Sequence, residues 1–219
     1  MNTFTPGFWI AAGAAALAAY LIGSVSFAVI VSRIGAQDDV RNHGSGNAGM
    51  TNILRNYGKK MAALTAVGDF GKGVVAVALG RIIFLLLGVT AVDGGYIAGF
   101  FALLGHLFPL FFGFKGGKGV LTSLGVVLML NWKVFLLLVV LLVPVVFIVK
   151  IVSLTVIIGY VLFPIFTVAV DHFTGRPFGF DLLFALLLSG LGAFMHRENI
   201  KRLLNGTEYR FGQDKNKQG

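Results

Sequence analysis

Long apolar runs separated by short polar turns set the pattern of this chain. Runs of helical length fall near 7–32, 62–88, 96–113, 119–131, 134–149, 154–170 and 182–195. A helix needs roughly 20 largely apolar residues to cross the hydrocarbon of a bilayer. The run at 119–131 is the short one. At about 1.5 Å per residue it reaches only about 20 Å. It predicts a half-span, or one limb of a long helix kinked near Asn131 and Pro144. The fold expected is all-α: a polytopic integral membrane protein of about seven transmembrane helices. A single transmembrane domain over 1–212, followed by a polar, flexible tail at 213–219, accounts for the chain, and no internal repeat stands out.

Composition supports the same picture. Hydrophobic residues make up 57% of the 219 and charged residues 12%, and the mean hydropathy is +0.87. A soluble domain carries about a quarter charged residues, so lipid must act as part of the solvent here. The first 32 residues lack a charged front and a small-residue cleavage site and read as a retained first helix. There is no cysteine, which excludes disulfides, thiolate nucleophiles and thiolate metal sites.

Charge then orients the spans. Arg33, Arg41, Arg55, Lys59 and Lys60 fall in one connection, Lys115 and Lys118 in another, Lys150 in a third. Arg197, Lys201, Arg202, Arg210, Lys215 and Lys217 follow the last run, whereas the alternate loops hold only Lys133 and Arg176. Cations concentrate on the cytoplasmic side, which places the N-terminus outside and the C-terminus in the cytoplasm. Net charge is +9; cations dispersed over short loops suit anionic headgroups and small anionic substrates, and no nucleic acid partner is expected.

Four polar motifs fall on that inner side. The first runs from Asp39 through Gly44, Ser45, Gly46, Asn47, Gly49, Thr51 and Asn52 to Arg55. Its glycines let backbone N–H groups turn inward as an anion nest. Ser45, Asn47, Thr51 and Asn52 add donors, and Arg55 offers a planar fork suited to phosphate. A solvated connector uses the same residue types, so this loop alone decides nothing. The second runs from Gly105-His106 and Pro109 to Lys115-Gly116-Gly117-Lys118-Gly119. It is not a nucleotide P-loop, because position 112 is Phe and position 119 is Gly. Two lysines in a glycine turn ahead of a helix N-terminus still favour phosphate. Glycines at 116, 117 and 119 exceed what two anchoring lysines require. The third, Lys150 to Ser153, is a short turn whose serine reads more readily as buried or capping. The fourth is His196-Arg197-Glu198-Asn199 followed by Lys201 and Arg202, with His196 and Asn199 at helical spacing. An amphipathic helix on anionic lipid would explain its cations but not His196 and Asn199. Asp69 and Lys72, at i and i+3, read as a neutralising pair sealing the floor of the site.

With nine carboxylates, few of them near these motifs, neither a carboxylate-held Mg²⁺ nor a Ser-His-Asp triad is expected. No metal and no cofactor is expected. What remains is anion recognition by cations and backbone amides in one pocket at headgroup height, beside a groove for an acyl chain.

The ordered set of motifs resembles the bacterial acyl-phosphate:glycerol-3-phosphate acyltransferase family of the PlsY type. The matching residues are Gly23-Ser24, Asp39-Val-Arg41, Gly44-Ser-Gly-Asn47, Thr51-Asn52, Asp69 with Lys72-Gly73, Gly105-His106-Leu-Phe-Pro109 and Phe114-Lys-Gly-Gly-Lys-Gly119. They continue with Ser153-Leu154, His196-Arg-Glu-Asn-Ile200, Arg202-Leu203, Gly206 and Glu208, so the likeness covers nearly the whole chain. Ser26 stands where the family usually has proline and Met50 where it has alanine.

The resemblance implies transfer of a fatty acyl group from acyl phosphate to the 1-hydroxyl of sn-glycerol 3-phosphate, giving lysophosphatidate and phosphate, the first step of phospholipid synthesis. It implies a multi-pass protein of the bacterial inner membrane with a cytoplasmic active site. It places His196, Asn199, Ser45 and Ser153 at the chemistry. Arg55, Asn47, Thr51, Asn52, Lys115, Gly116, Gly117, Lys118 and Gly119 fall around phosphate, with Asp69, Lys72, His106, Arg202 and Glu208 in support. Which lysine meets which phosphate stays open, as does the base: His196 or a substrate phosphate, whose second pKa is about 6. An anion transporter or channel for phosphate or glycerol phosphate is the alternative. It would place its binding groups near the midplane rather than on one side. A structural lipid-binding subunit is a further alternative that would need neither His196 nor Asn199.

Overall fold

The computed structural model describes residues 4–175 and 179–211; the polar tail at 213–219, Lys215, Lys217 and Arg176 lie outside them. Among the described residues every regular element is helical. Ten α-helices follow in order: α1 Pro6–Gly23, α2 Phe27–Ala36, α3 Met50–Tyr57, α4 Lys59–Leu86, α5 Gly94–Leu107, α6 Val120–Leu130, α7 Trp132–Val149, α8 Val152–Thr174, α9 Phe180–Met195 and α10 Arg197–Leu204.

Four stretches are long and apolar enough to cross a membrane: Pro6–Ala36, Gly94–Phe112, Trp132–Val149 and Val152–Thr174. The pair α9 and α10, bent by 60°, makes a fifth if counted as one span. Exposed apolar side chains such as Val140, Phe147 and Ile148 on α7 suit lipid rather than water. The protein is a multi-pass helical membrane protein.

The chain divides into two compact units, 1–132 and 133–219. In the first, α1 packs on α5 and α4, and α4 packs on α5 and α6. Close approach explains the glycines there: a Cβ on Gly23 would collide with the Ala102 carbonyl, and one on Gly105 with that of Tyr20. In the second, α8 packs on α9, and α10 touches both.

The run at 7–32, expected as one helix, is broken at residues 24–26. The break is held from outside its own helices. Ser24 Oγ accepts from Leu110 N at 3.2 Å, and the Val25 carbonyl accepts from Lys72 Nζ at 2.8 Å. At Asn131 (φ −149°, ψ 87°) α6 stops after 11 residues, whereas Pro144 lies inside an uninterrupted α7. Of the two kink positions expected, only the first is a break.

Candidate active site

In the first unit the glycine loop is anchored by two apolar pegs. Val40 and Ala48 are fully buried with Ala28, Val29 and Ile53 beneath the polar stretch between them. Asn52, on the first turn of α3, organises the loop from inside. Its amide nitrogen lies within 3.1 Å of the carbonyls of Val40, His43 and Asn47, and its Oδ1 accepts from Ser45 N at 3.2 Å. The sequence suggested that Asn52 offers its donors to phosphate. The geometry instead has both amide hydrogens facing backbone carbonyls, because three inward carbonyls would otherwise be unmatched. Ser45 is exposed, and Asn47, Thr51 and Arg55 are half-buried.

Arg41, which sequence reasoning counted only among the loop cations and the family matches, joins this loop to the next. Its guanidinium forks onto Asp39 at 2.8 and 2.9 Å, and Nη1 donates to the Phe112 carbonyl at 2.6 Å. The fork holds the Asp39 carboxyl well below the usual carboxylate range, against the opposing pull of burial. An Asp at i−2 of an Arg between glycine-rich loops was the available signal; its partner 71 residues away was not legible.

The second turn sits on the end of α5. Ala48 N reaches the Gly116 carbonyl at 3.4 Å, and Gly117 N donates to the His106 carbonyl at 3.2 Å. Phe114 takes a left-handed φ of +59°, an uncommon conformation for a bulky residue, directly before Lys115. Lys115 is exposed and Lys118 half-buried. Gly119 (φ +81°) is the residue before α6.

Beneath this turn lies a buried polar cluster. Asp69, Lys72, His106 and Thr122 are each at most 5% exposed. Lys72 Nζ is 2.9 Å from Asp69 Oδ1, an ion pair whose alignment falls short of a good hydrogen bond. Thr122 Oγ1 donates to the Asp69 carbonyl at 3.0 Å and lies 3.3 Å from His106 Nδ1. The i, i+3 pair expected at Asp69 and Lys72 is present, and His106 and Thr122 join it.

In the second unit the polar residues converge on one carboxylate. Glu208 Oε1 accepts from Ser153 Oγ and Asn199 Nδ2, each at 2.8 Å, and Oε2 accepts from Arg202 Nε at 2.7 Å. Burial works to raise the Glu208 pKa; the three donors outweigh it, and the carboxyl sits below its ordinary value. Ser153 is therefore not a helix cap, since Ile151 holds that position. The turn before it is fixed by Lys150, at φ +59°, whose carbonyl accepts from Phe211 N at 2.8 Å.

His196 stands at the bend between α9 and α10, 3% exposed, its ring 5.8 Å from that of Tyr160. Its Nδ1 is 2.8 Å from the Gly192 carbonyl. A carbonyl can only accept, so Nδ1 carries the proton, and in the neutral ring Nε2 is the basic nitrogen. Tyr160 and Gly192 were missed: a Cβ on Gly192 would collide with the Tyr160 ring, so the two form a matched pair behind His196.

Fold and site define a multi-pass helical membrane protein whose polar residues collect at helix breaks and connecting turns. The family model for glycerol-3-phosphate acyltransferase matches residues 13–206, and the chain belongs to that family. Among its relatives, the glycerol-3-phosphate acyltransferase of Clostridioides difficile (strain 630) is 43% identical over 200 residues, covering 91% of this chain and 95% of the relative. That of Neisseria meningitidis serogroup C (strain 053442) is 43% identical over 195 residues, covering 88% and 94%. The crystal structure of PlsY, an integral membrane glycerol 3-phosphate acyltransferase, in its glycerol 3-phosphate form is similar with a TM-score of 0.78 at 36% identity, covering 92% of this chain and 96% of that one. Its lysophosphatidic acid form gives a TM-score of 0.75 at 34% identity, covering 92% and 95%.

Proposed function

We propose that this protein transfers a fatty acyl group from acyl phosphate to the 1-hydroxyl of sn-glycerol 3-phosphate, releasing lysophosphatidate and inorganic phosphate. What carries the reading is the match along nearly the whole chain to a family with one solved member in a glycerol 3-phosphate form and a lysophosphatidic acid form. These are the acceptor and the product of the reaction. We count α4 and the short α6 with the five stretches above as the seven crossings that the loop cations call for. The N-terminus is outside, and the polar motifs lie on the cytoplasmic side of the bacterial inner membrane.

An acyl phosphate is an activated mixed anhydride, so the protein's task is orientation and charge stabilisation. The acceptor hydroxyl oxygen bonds to the acyl carbon, the bond from that carbon to the phosphate oxygen breaks, and phosphate leaves with the electron pair. The hydroxyl proton goes to His196 Nε2 or to a phosphate oxygen held beside it. In the first unit Arg55, Ser45, Asn47 and Thr51 are the groups for the phosphate of glycerol phosphate, and the turn from Lys115 to Gly119 holds phosphate; in the second, Asn199 stands with His196 as the groups for the acceptor. Asn52 shapes its loop, and Glu208 with Arg202 orients Asn199 and Ser153.

The test is purified protein incubated with palmitoyl phosphate or palmitoyl-CoA and labelled glycerol 3-phosphate. Lysophosphatidate should form with palmitoyl phosphate only; product from the thioester alone overturns the donor assignment. His196→Ala and Arg55→Ala, each confirmed folded, should lower transfer by about a hundredfold or more. Near-normal rates in either remove that residue from the chemistry.

A further inference from the structure

The buried cluster of Asp69, Lys72, His106 and Thr122 touches no substrate in the mechanism above, yet it is built with unusual care for a membrane interior. Charges there are costly and persist where they are paired and put to use. A neutralising role accounts for Asp69 and Lys72. It leaves unexplained why a histidine and a threonine join them at the end of α5 and the start of α6.

Hydrogen-bond inventory fixes the direction of the cluster. The Thr122 hydroxyl has one proton, and the Asp69 carbonyl takes it at 3.0 Å. Thr122 Oγ1 is then the acceptor for His106 Nδ1–H at 3.3 Å, with Asp69 Oδ1 on the same side of the ring at 3.6 Å. The opposite edge of the imidazole, at Nε2, lies against Gly117 so closely that a Cβ there would collide with it. The His106 carbonyl meanwhile accepts from Gly117 N, and a Cβ on Gly116 would run into the same carbonyl. His106 therefore meets the glycine turn twice, by its ring and by its backbone. Its ring is held from behind by two residues of other helices. Lys72 extends the support to the break between α1 and α2 through the Val25 carbonyl.

We propose that His106 is a positioning residue for the phosphate-binding turn, with Thr122 and Asp69 locking its ring so that Gly116, Gly117 and Lys118 are held at one height. The inference rests on the acyltransferase reading, in which this turn grips phosphate. A preformed grip costs no reorganisation when phosphate charge develops, and a site loosened by about an ångström loses on the order of a hundredfold in rate.

Two substitutions separate this from a merely structural role. Thr122→Val keeps the shape and removes the hydroxyl that holds the ring. His106→Asn keeps a polar group where Nδ1 lies and removes the edge that bears on Gly117. Inorganic phosphate is the probe, measured as product inhibition of transfer and as thermal stabilisation of the purified protein in detergent. Both variants should weaken phosphate by about tenfold in both readouts, raise the KM of at least one substrate, and unfold as single cooperative species. Thr122→Ser should restore the wild-type response. If Thr122→Val does not fold, His106→Asn decides. Folded variants with wild-type phosphate inhibition and KM, or a Thr122→Ser as defective as Thr122→Val, overturn the inference. Wild-type protein that makes no lysophosphatidate sinks the acyltransferase reading instead.

Discussion

Two carboxylates, Asp69 and Glu208, each gather polar partners around themselves, and they do so under opposite conditions. Asp69 is 1% exposed in the middle of α4 and faces a lysine counter-ion one turn away. Glu208 lies beyond the last helix, with a side chain 7% exposed and an arginine partner 44% exposed. Asp69 is tied to the scaffold: Lys72, Thr122, His106 and, through Lys72, a helix break. Glu208 is tied to residues proposed for the chemistry, Ser153 and Asn199. A charge deep among helices stiffens what surrounds it, because removing one member leaves the other stranded. A carboxylate at the rim aligns donors that must also face substrate, so its loss should be felt in rate before stability.

The largest effect should come from breaking the deep pair. Lys72→Ala leaves Asp69 buried without its counter-ion, a change costing about 3–5 kcal/mol in buried pairs. It should abolish monodisperse protein in detergent or lower its melting temperature by many degrees. The double variant Asp69→Leu with Lys72→Met fills the space with apolar groups and should recover much of that loss. Melting curves of the single and double variants check this; equal loss in both would mean packing, and not stranded charge, governs the site.

At the rim the order reverses. Glu208→Gln keeps the size of the side chain and can still accept from Asn199 or Ser153, but its amide cannot match both donors and Arg202 together. Transfer should fall by about tenfold to a hundredfold, with the melting temperature displaced by a few degrees at most. A variant that melts far earlier while its folded fraction keeps full kcat would make Glu208 a structural residue like Asp69.

The same contrast explains what could be read from the chain before its structure. The helical runs were legible because lipid imposes one demand, apolar length, that each run meets or misses by itself. The Asp69 and Lys72 pair was legible because i, i+3 spacing is local. The break at residues 24–26 was not: Ser24-Val25-Ser26 holds no proline or glycine, and the break is stabilised by Leu110 N and Lys72 Nζ from distant segments. Helix α3 was missed for a related reason. Its eight residues include Asn52 and Asn56, poor helix formers, and it is held by burial of Ile53 against Val29 and Ala62. Of the candidate site, the residues themselves were legible and their pairings were not. Nothing in the separation of Ser153 from Glu208 announces that they share a hydrogen bond.

Acid pH offers the finest probe of the rim, and its sign can be worked out in advance. The Glu208 carboxyl is held below its ordinary value of about 4.5 in the folded protein. A depressed folded pKa means the unfolded chain binds the proton more readily, so stability falls as pH falls. The contribution of the ionised carboxylate is complete above about 4.5 and is lost as pH drops through the lower folded value. Asp39 is depressed as well, so wild-type melting alone cannot assign the slope. Glu208→Gln carries no titrating group at this position. Its melting temperature should therefore fall less steeply than wild type as pH drops below about 4.5, by a small margin given the half-exposed arginine. Parallel slopes would place the titration elsewhere and remove the charged form of Glu208 from what holds Ser153, Asn199 and Arg202 together.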